Sequence, residues 1–301
     1  MRIRLTGSVG RAALAAISII AVAMVALPGD AEAVKSSSTY YVSLGDSYSV
    51  GYQPGKGATF GFAGYVAQRT HFTLVNFGCA GATTISIIDT IGCPDILPRT
   101  AGAVPYPTSA QATAAEAFIR SHRRHIGLIT VSIGGNDVTS CASSAKPIIC
   151  VATAVGEISK NVTTLASGLR GAAGPKVPII GLTYPDVILG EYVFPSQPAT
   201  SARITLAQLS VTAFKSLINP TLSKAYAQAQ ASFVDVTTAT GAYTPLTRTE
   251  KFKPYGTIPV AVASVCTLTW FCAQGNIHAR TRGYTLIGKL IVAKFATIHR
   301  G

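Results

Sequence analysis

Runs of apolar and β-branched residues recur along the chain at 39–44 (TYYVSL), 73–77 (TLVNF), 126–133 (IGLITVSI), 177–184 (VPIIGLTY) and 232–236 (SFVDV). Continuous apolar runs of this length, without polar alternation, predict strands buried on both faces. Between them lie segments of helical character: FAGYVAQRT, TSAQATAAEAFIRSHRR, ATAVGEISKNVTTLASGLR and an Ala/Gln/Leu-rich stretch over 201–230. Residues 281–298 predict a closing helix. Strands alternating with helices predict an α/β protein with a five-stranded parallel sheet covered on both faces, a three-layer α/β/α sandwich. Two stretches break the rhythm, 137–150 and 237–275, and are expected to be long loops, partly stapled by cysteines.

The N-terminus carries Arg2, Arg4 and Arg11, then an uncharged run over 12–27, Pro28-Gly29 and Ala31-Glu32-Ala33. That order predicts a secretory signal peptide at residues 1–33, and residues 34–301 then form a single domain. The apolar run is shorter than a bilayer span needs, and no cysteine follows the cleavage point to carry a lipid. Six cysteines fall in three local pairs, Cys79 with Cys93, Cys141 with Cys150 and Cys266 with Cys272, and in an exported chain this clustering favours neighbour disulfides. No Cys-x-x-Cys occurs and no histidine has ligand spacing to a cysteine pair, so no metal is expected, and no cofactor. The sequence has 25 Lys and Arg against 12 Asp and Glu, with the basic residues scattered. Such a charge suits an anionic membrane or envelope surface as a partner, while nucleic acid is excluded for want of an aromatic-basic signature. A monomer is the expected state.

In an open parallel sheet, ligands bind outside the carboxyl ends of the strands. The first strand is followed by Gly45-Asp46-Ser47, the second by NFGCAGATT with Gly78 and Gly81, the third by GGNDV with Asn136. A hydroxyl, a glycine-bordered amide and a carboxamide therefore reach one pole. A serine nucleophile needs a base. Of the five histidines, His71, His122 and His125 precede strands and belong to the opposite pole, and His299 is at the C-terminus. His278, just before the closing helix, can return to the carboxyl pole. Ser47 as nucleophile, His278 as base, and the N–H groups of Ser47 and Gly81 with the Asn136 amide as oxyanion donors would make an acyl-transfer site. Asp46 and Asp137 are expected to hold turns.

These blocks, GDSYS with Ser47, NFGCAGATT with Gly81, GGND with Asn136 and NIHARTRGY with His278, resemble those of the SGNH, or GDSL, hydrolase family. The resemblance covers nearly all of the mature chain. The three cysteine pairs, and CTLTWFC before the histidine, are similar to those of secreted actinobacterial lipases and esterases of that family. It implies a flavodoxin-like α/β/α sandwich and hydrolysis of carboxylic esters, with an acyl ester or lipid as substrate. One departure stands out: where the family has an aspartate shortly before the histidine, this chain has Gly275 and Asn276. A backbone carbonyl near Gly275 or Asn276, or the Asn276 side-chain oxygen, would then orient His278 in a Ser-His dyad, with Asp235 as a remote alternative. Residues 187–198 and 237–275 are expected to shape the acyl pocket, and Trp270 either lines that pocket or packs the last disulfide loop. The functional reading is a secreted serine esterase or lipase. Its alternatives are an acyltransferase or deacetylase on envelope glycans, and a non-catalytic lipid- or glycan-binding protein.

Overall fold

The computed structural model describes residues 38–94 and 102–300, so the expected signal peptide lies outside the described residues. The chain enters as strand β1 (Tyr40–Gly45), turns through the short helix α1 (Ser47–Val50), and continues with α2 (Gly61–Thr70), β2 (Thr73–Asn76), α3 (Ser86–Asp89) and α4 (Gln111–Ser121). Next come β3 (Ile126–Ser132), α5 (Gly135–Thr139), the long α6 (Pro147–Ala173), β4 (Ile179–Leu182), α7 (Ser201–Ala213), α8 (Asn219–Gln228) and β5 (Ser232–Val234). The last part holds α9 (Val236–Ala239), a hairpin of β6 (Thr249–Phe252) and β7 (Gly256–Pro259), then α10 (Val260–Leu268), α11 (Phe271–Gln274) and α12 (Thr281–Arg300).

Local chemistry explains several boundaries. Pro147 starts α6, where a missing N–H costs nothing, and Thr200 caps α7 by accepting the Arg203 N–H. Pro220 cannot donate to a helical ladder, and α7 passes into α8 through a π-helical turn, Phe214–Ile218.

The five parallel strands lie in the order β2-β1-β3-β4-β5. Successive side chains along each strand serve opposite faces. Val42, Leu44, Ile129, Val131 and Ile179 face the core shared with α4, α6 and α8. Tyr41, Leu128, Ile180 and Leu182 meet Phe62 and Val66 of α2 and Ile287 and Ile291 of α12. The sequence-predicted five-stranded α/β/α sandwich is thus the observed architecture. Helix α6 is long and apolar enough to cross a membrane by composition, but its residues Ile158, Val162, Leu165 and Leu169 are buried in the core.

From β1 the chain builds first to one side, then crosses to the other to make β3. This reversal opens a crevice at the carboxyl ends of β1 and β3.

Two expectations need correction. Residues 237–275 are not a long loop: they fold as α9, the β6–β7 hairpin, α10 and α11, around a small core of Leu189, Ile258, Val262 and the Cys266–Cys272 disulfide. Residues 137–150 likewise hold the end of α5, a 3-10 turn at Ser140–Ser143 and the first turn of α6, joined by the Cys141–Cys150 disulfide. The third disulfide joins Cys79 to Cys93.

Candidate active site

β1 ends pressed against β3. At Gly45 φ is +131°, and a Cβ there would lie 1.9 Å from the Ser132 carbonyl oxygen, so only glycine fits. The next N–H, of Asp46, donates to that same carbonyl at 3.0 Å. Asp46 then caps α1: its carboxylate accepts from the Tyr48 N–H at 2.9 Å and from the Tyr184 hydroxyl at 2.5 Å. Full burial pushes the Asp46 carboxyl up to about 7. Asp46 is therefore a structural hinge for the turn, as its sequence position suggests.

Ser47 is the first residue of α1 and only 6% exposed. Its hydroxyl has no hydrogen-bond partner among the described residues. Ser49, two positions on, donates to the Leu44 carbonyl at 2.5 Å and is thereby occupied.

The loop after β2 is fastened to this turn. The Cys79 N–H donates to the Gly45 carbonyl at 2.9 Å, and the Asn76 side chain donates to the Ser49 carbonyl at 2.8 Å while accepting the Gly78 N–H at 2.9 Å. Gly81 adopts φ +80°, and a Cβ there would meet nothing within 4 Å, so its backbone faces open space. From β3, Asn136 donates one amide hydrogen to the Ala82 carbonyl at 2.8 Å, and Asp137 accepts from the Thr84 N–H at 3.0 Å and the Thr84 hydroxyl at 2.6 Å. The second Asn136 amide hydrogen and the N–H groups of Ser47 and Gly81 are not engaged by another described residue.

His278 lies between α11 and α12, with its ring 4.4 Å from the Tyr52 ring and stacked at 6.1 Å on Tyr48, the neighbour of Ser47. The Tyr48 hydroxyl donates to the Ile277 carbonyl at 2.7 Å, and the Trp270 N–H donates to the His278 carbonyl at 2.9 Å. The Asn276 Oδ1 lies 3.1 Å from the His278 N–H and 2.8 Å from Nδ1. A backbone N–H can only donate, which makes that Asn276 atom an acceptor; Nδ1 must then carry the proton, leaving Nε2 as a bare lone pair. Burial pushes the His278 pKa down to about 4. No hydrogen bond joins Ser47 to His278 in the structure; such contacts commonly tighten only when substrate is bound.

Gly275, at φ +64°, ends α11 with its N–H on the Phe271 carbonyl. Asp235 is committed elsewhere: it caps α9, accepting from the Thr238 N–H and from the Asn219 amide, both at 2.8 Å. His122 stacks on Phe118 and His299 meets Phe295 edge-on, away from the carboxyl ends of the strands.

Ser47, Asn136 and Ile277 open onto one pocket with an empty volume of about 1020 Å³, its mouth included. Its walls are apolar: Val138 and Ile148 from the β3–α6 region, Leu206, Leu209 and Phe214 from α7 and the π-turn, Leu222 from α8. Val187 and Ile188 contribute, as expected of residues 187–198, whereas none of residues 237–275 lines it. That corrects the expectation for the second segment. Trp270 packs the disulfide loop instead, carrying the Arg280 guanidinium 4.3 Å over its ring. The α6–α8 wall and the Tyr48–Ile277 bond were not foreseen. Tyr48 stands in the GDSYS block, but nothing in that block shows what its hydroxyl reaches.

Residues 43–286 match the model of the GDSL-like lipase/acylhydrolase family. Among solved structures, the lipase Lip_vut3 from a goat rumen metagenome is similar at 16% identity with a TM-score of 0.50, over 85% of this chain and 97% of that one. An extracellular lipase from Streptomyces rimosus is similar at 18% identity with a TM-score of 0.50, over 84% of this chain and 100% of that one. At such identities the likeness is one of fold. No curated protein matches the chain.

Proposed function

The chain belongs to the GDSL-like lipase/acylhydrolase family, whose members are carboxylic ester hydrolases, and from that premise we propose an exported serine esterase or lipase working through a Ser47–His278 dyad. The observation that carries the reading is the unpartnered Ser47 hydroxyl lining an apolar pocket, with His278 stacked on the adjacent Tyr48 and its Nδ1 proton held by Asn276, so that Nε2 is bare. Ser47 Oγ attacks the ester carbonyl as its proton passes to Nε2. The oxyanion is met by the Ser47 and Gly81 N–H groups and the second Asn136 amide hydrogen. The alkoxide leaves with the proton from Nε2, and water repeats the sequence on the acyl-enzyme.

The neutral Asn276 orients His278 but gives no charge to the imidazolium. As a base, His278 must be neutral, which with its pKa near 4 holds throughout the range above that value. The kcat/KM profile is therefore expected to stay flat down to about pH 5 and to fall below it. Asn276→Asp would place a carboxylate against Nδ1, raise the His278 pKa by about 1–3 units and stabilise the imidazolium. The expected result is a kcat raised about tenfold, with the acid limb moved to higher pH. An unmoved limb would mean that Asn276 does not face Nδ1 during turnover.

The apolar walls support an acyl chain longer than acetyl, which disfavours the deacetylase reading. Each methylene buried contributes about 0.8 kcal/mol, close to fourfold in kcat/KM. On a p-nitrophenyl ester series kcat/KM should rise from acetate toward octanoate. Leu209→Trp, filling the pocket, should abolish that rise while sparing acetate. A flat series in the wild-type protein would refute the assignment.

A further inference from the structure

Among the described residues the large hydrophobic side chains exposed to solvent are Phe60, Ile85, Ile91 and Ile149, from 51% to 69% exposed. They come from three segments separated in sequence. Phe60 is in the connection that leaves the carboxyl end of β1, Ile85 and Ile91 flank α3 after β2, and Ile149 is in the first turn of α6 after β3. A parallel sheet delivers all three connections to one pole, the pole where Ser47 and the pocket open. Scattered apolar residues on a surface need no explanation; four on the connections at one pole, the pole onto which an apolar pocket opens, do.

Their supports are rigid. Ile85 follows Thr84, held by Asp137, and Ile91 pairs with Ala110 in an isolated bridge. Ile149 is tethered through the Cys141–Cys150 disulfide and adjoins Ile148, which lines the pocket. The same pole carries exposed cations: Lys56 in the β1–α2 connection, Lys146 beside Ile149, and Lys251 and Lys253 of the hairpin beyond β5. Among the described residues of these connections the exposed acids are Asp89 and Glu250. Apolar tips among lysines match an anionic bilayer surface, where each Lys is attracted to acidic headgroups and the apolar tips enter the acyl boundary.

We propose that this rim is a docking surface for an anionic lipid interface, seating the pocket mouth on the layer from which its ester is drawn. The proposal rests on the hydrolase reading only in naming the pocket as the place the ester enters.

The test is sedimentation of the mature chain, residues 34–301, with phosphatidylglycerol/phosphatidylcholine vesicles and with pure phosphatidylcholine vesicles, alongside turnover of soluble p-nitrophenyl acetate. The wild-type protein is expected to bind the anionic vesicles at least tenfold better than the neutral ones, and the difference should shrink in high salt. The triple variant Ile85→Ser/Ile91→Ser/Ile149→Ser should bind at least tenfold more weakly, and so should Lys56→Glu/Lys146→Glu. Both should keep wild-type acetate turnover, which also shows that they fold. No binding by the wild-type protein, equal binding to neutral vesicles, or a triple variant that binds as well as wild type would each overturn the proposal. Acetate turnover that is absent while vesicle binding persists would count against the hydrolase reading and leave the docking surface standing.

Discussion

Ser47→Ala is expected to lower kcat on p-nitrophenyl esters by about six orders of magnitude, the loss typical of removing a serine nucleophile that acts as a unit with its base. Nothing nearby can take over the role. Ser49 is 1% exposed with its hydroxyl on the Leu44 carbonyl, and Ser132 and Ser43 are buried within the sheet. The same substitution should leave thermal stability within about 0.5 kcal/mol, because the Ser47 hydroxyl has no internal partner to lose. A fluorophosphonate probe should label the wild-type protein stoichiometrically and the variant not at all. A variant that still turns over, or a wild-type protein that takes no label, would remove Ser47 from the mechanism.

Asn136→Ala carries the next largest effect, a fall in kcat of about 10² to 10³ with KM little changed, as expected when one oxyanion donor is lost. The substitution also frees the Ala82 carbonyl, a hydrogen bond whose net contribution is about 1 kcal/mol. That loss should not displace the loop, since Asp137 still holds Thr84 by both its N–H and its hydroxyl. The two consequences separate experimentally: a modest drop in melting temperature reports the bond to Ala82, and the kcat loss reports the other amide hydrogen. A rise in KM with kcat preserved would show that Asn136 binds the ground state and not the oxyanion.

The central sheet was legible because its strands are buried on both faces and so appear as unbroken apolar runs, VPIIGLTY among them. From the strands followed the pole, and from the pole the expectation that the connections carrying Ser47, Gly81 and Asn136 lie at one end of the sheet, which needs only the order of connections. The segment 237–275 was misread for a physical reason. The hairpin TEKF/GTIP is short and mostly exposed, and α10, VAVASVCTL, is apolar on all sides because it is buried against Leu189 and Val193 and neighbouring helices, so neither shows a period. The pocket walls were hidden for another reason: Leu206, Leu209, Phe214 and Leu222 read as ordinary core positions of helices, and only the folded arrangement of α7, the π-turn and α8 shows that they surround a space. Asp186 was equally invisible. Its buried carboxyl, pushed up to about 7 and bonded to Ser210 at 2.8 Å, depends on a helix distant in sequence.

The bend at Gly45 has a bearing on biosynthesis. It is fixed by the Ser132 carbonyl, which receives the Asp46 N–H and leaves no room for a side chain at Gly45, and Ser132 is the last residue of β3. As the chain emerges from N- to C-terminus, Ser47 is made long before the strand that bends it into place, and before His278. A nascent chain therefore carries Ser47 as an ordinary serine. Under the proposed dyad, competence would arise only once β3 has docked and His278 has been set in place ahead of α12.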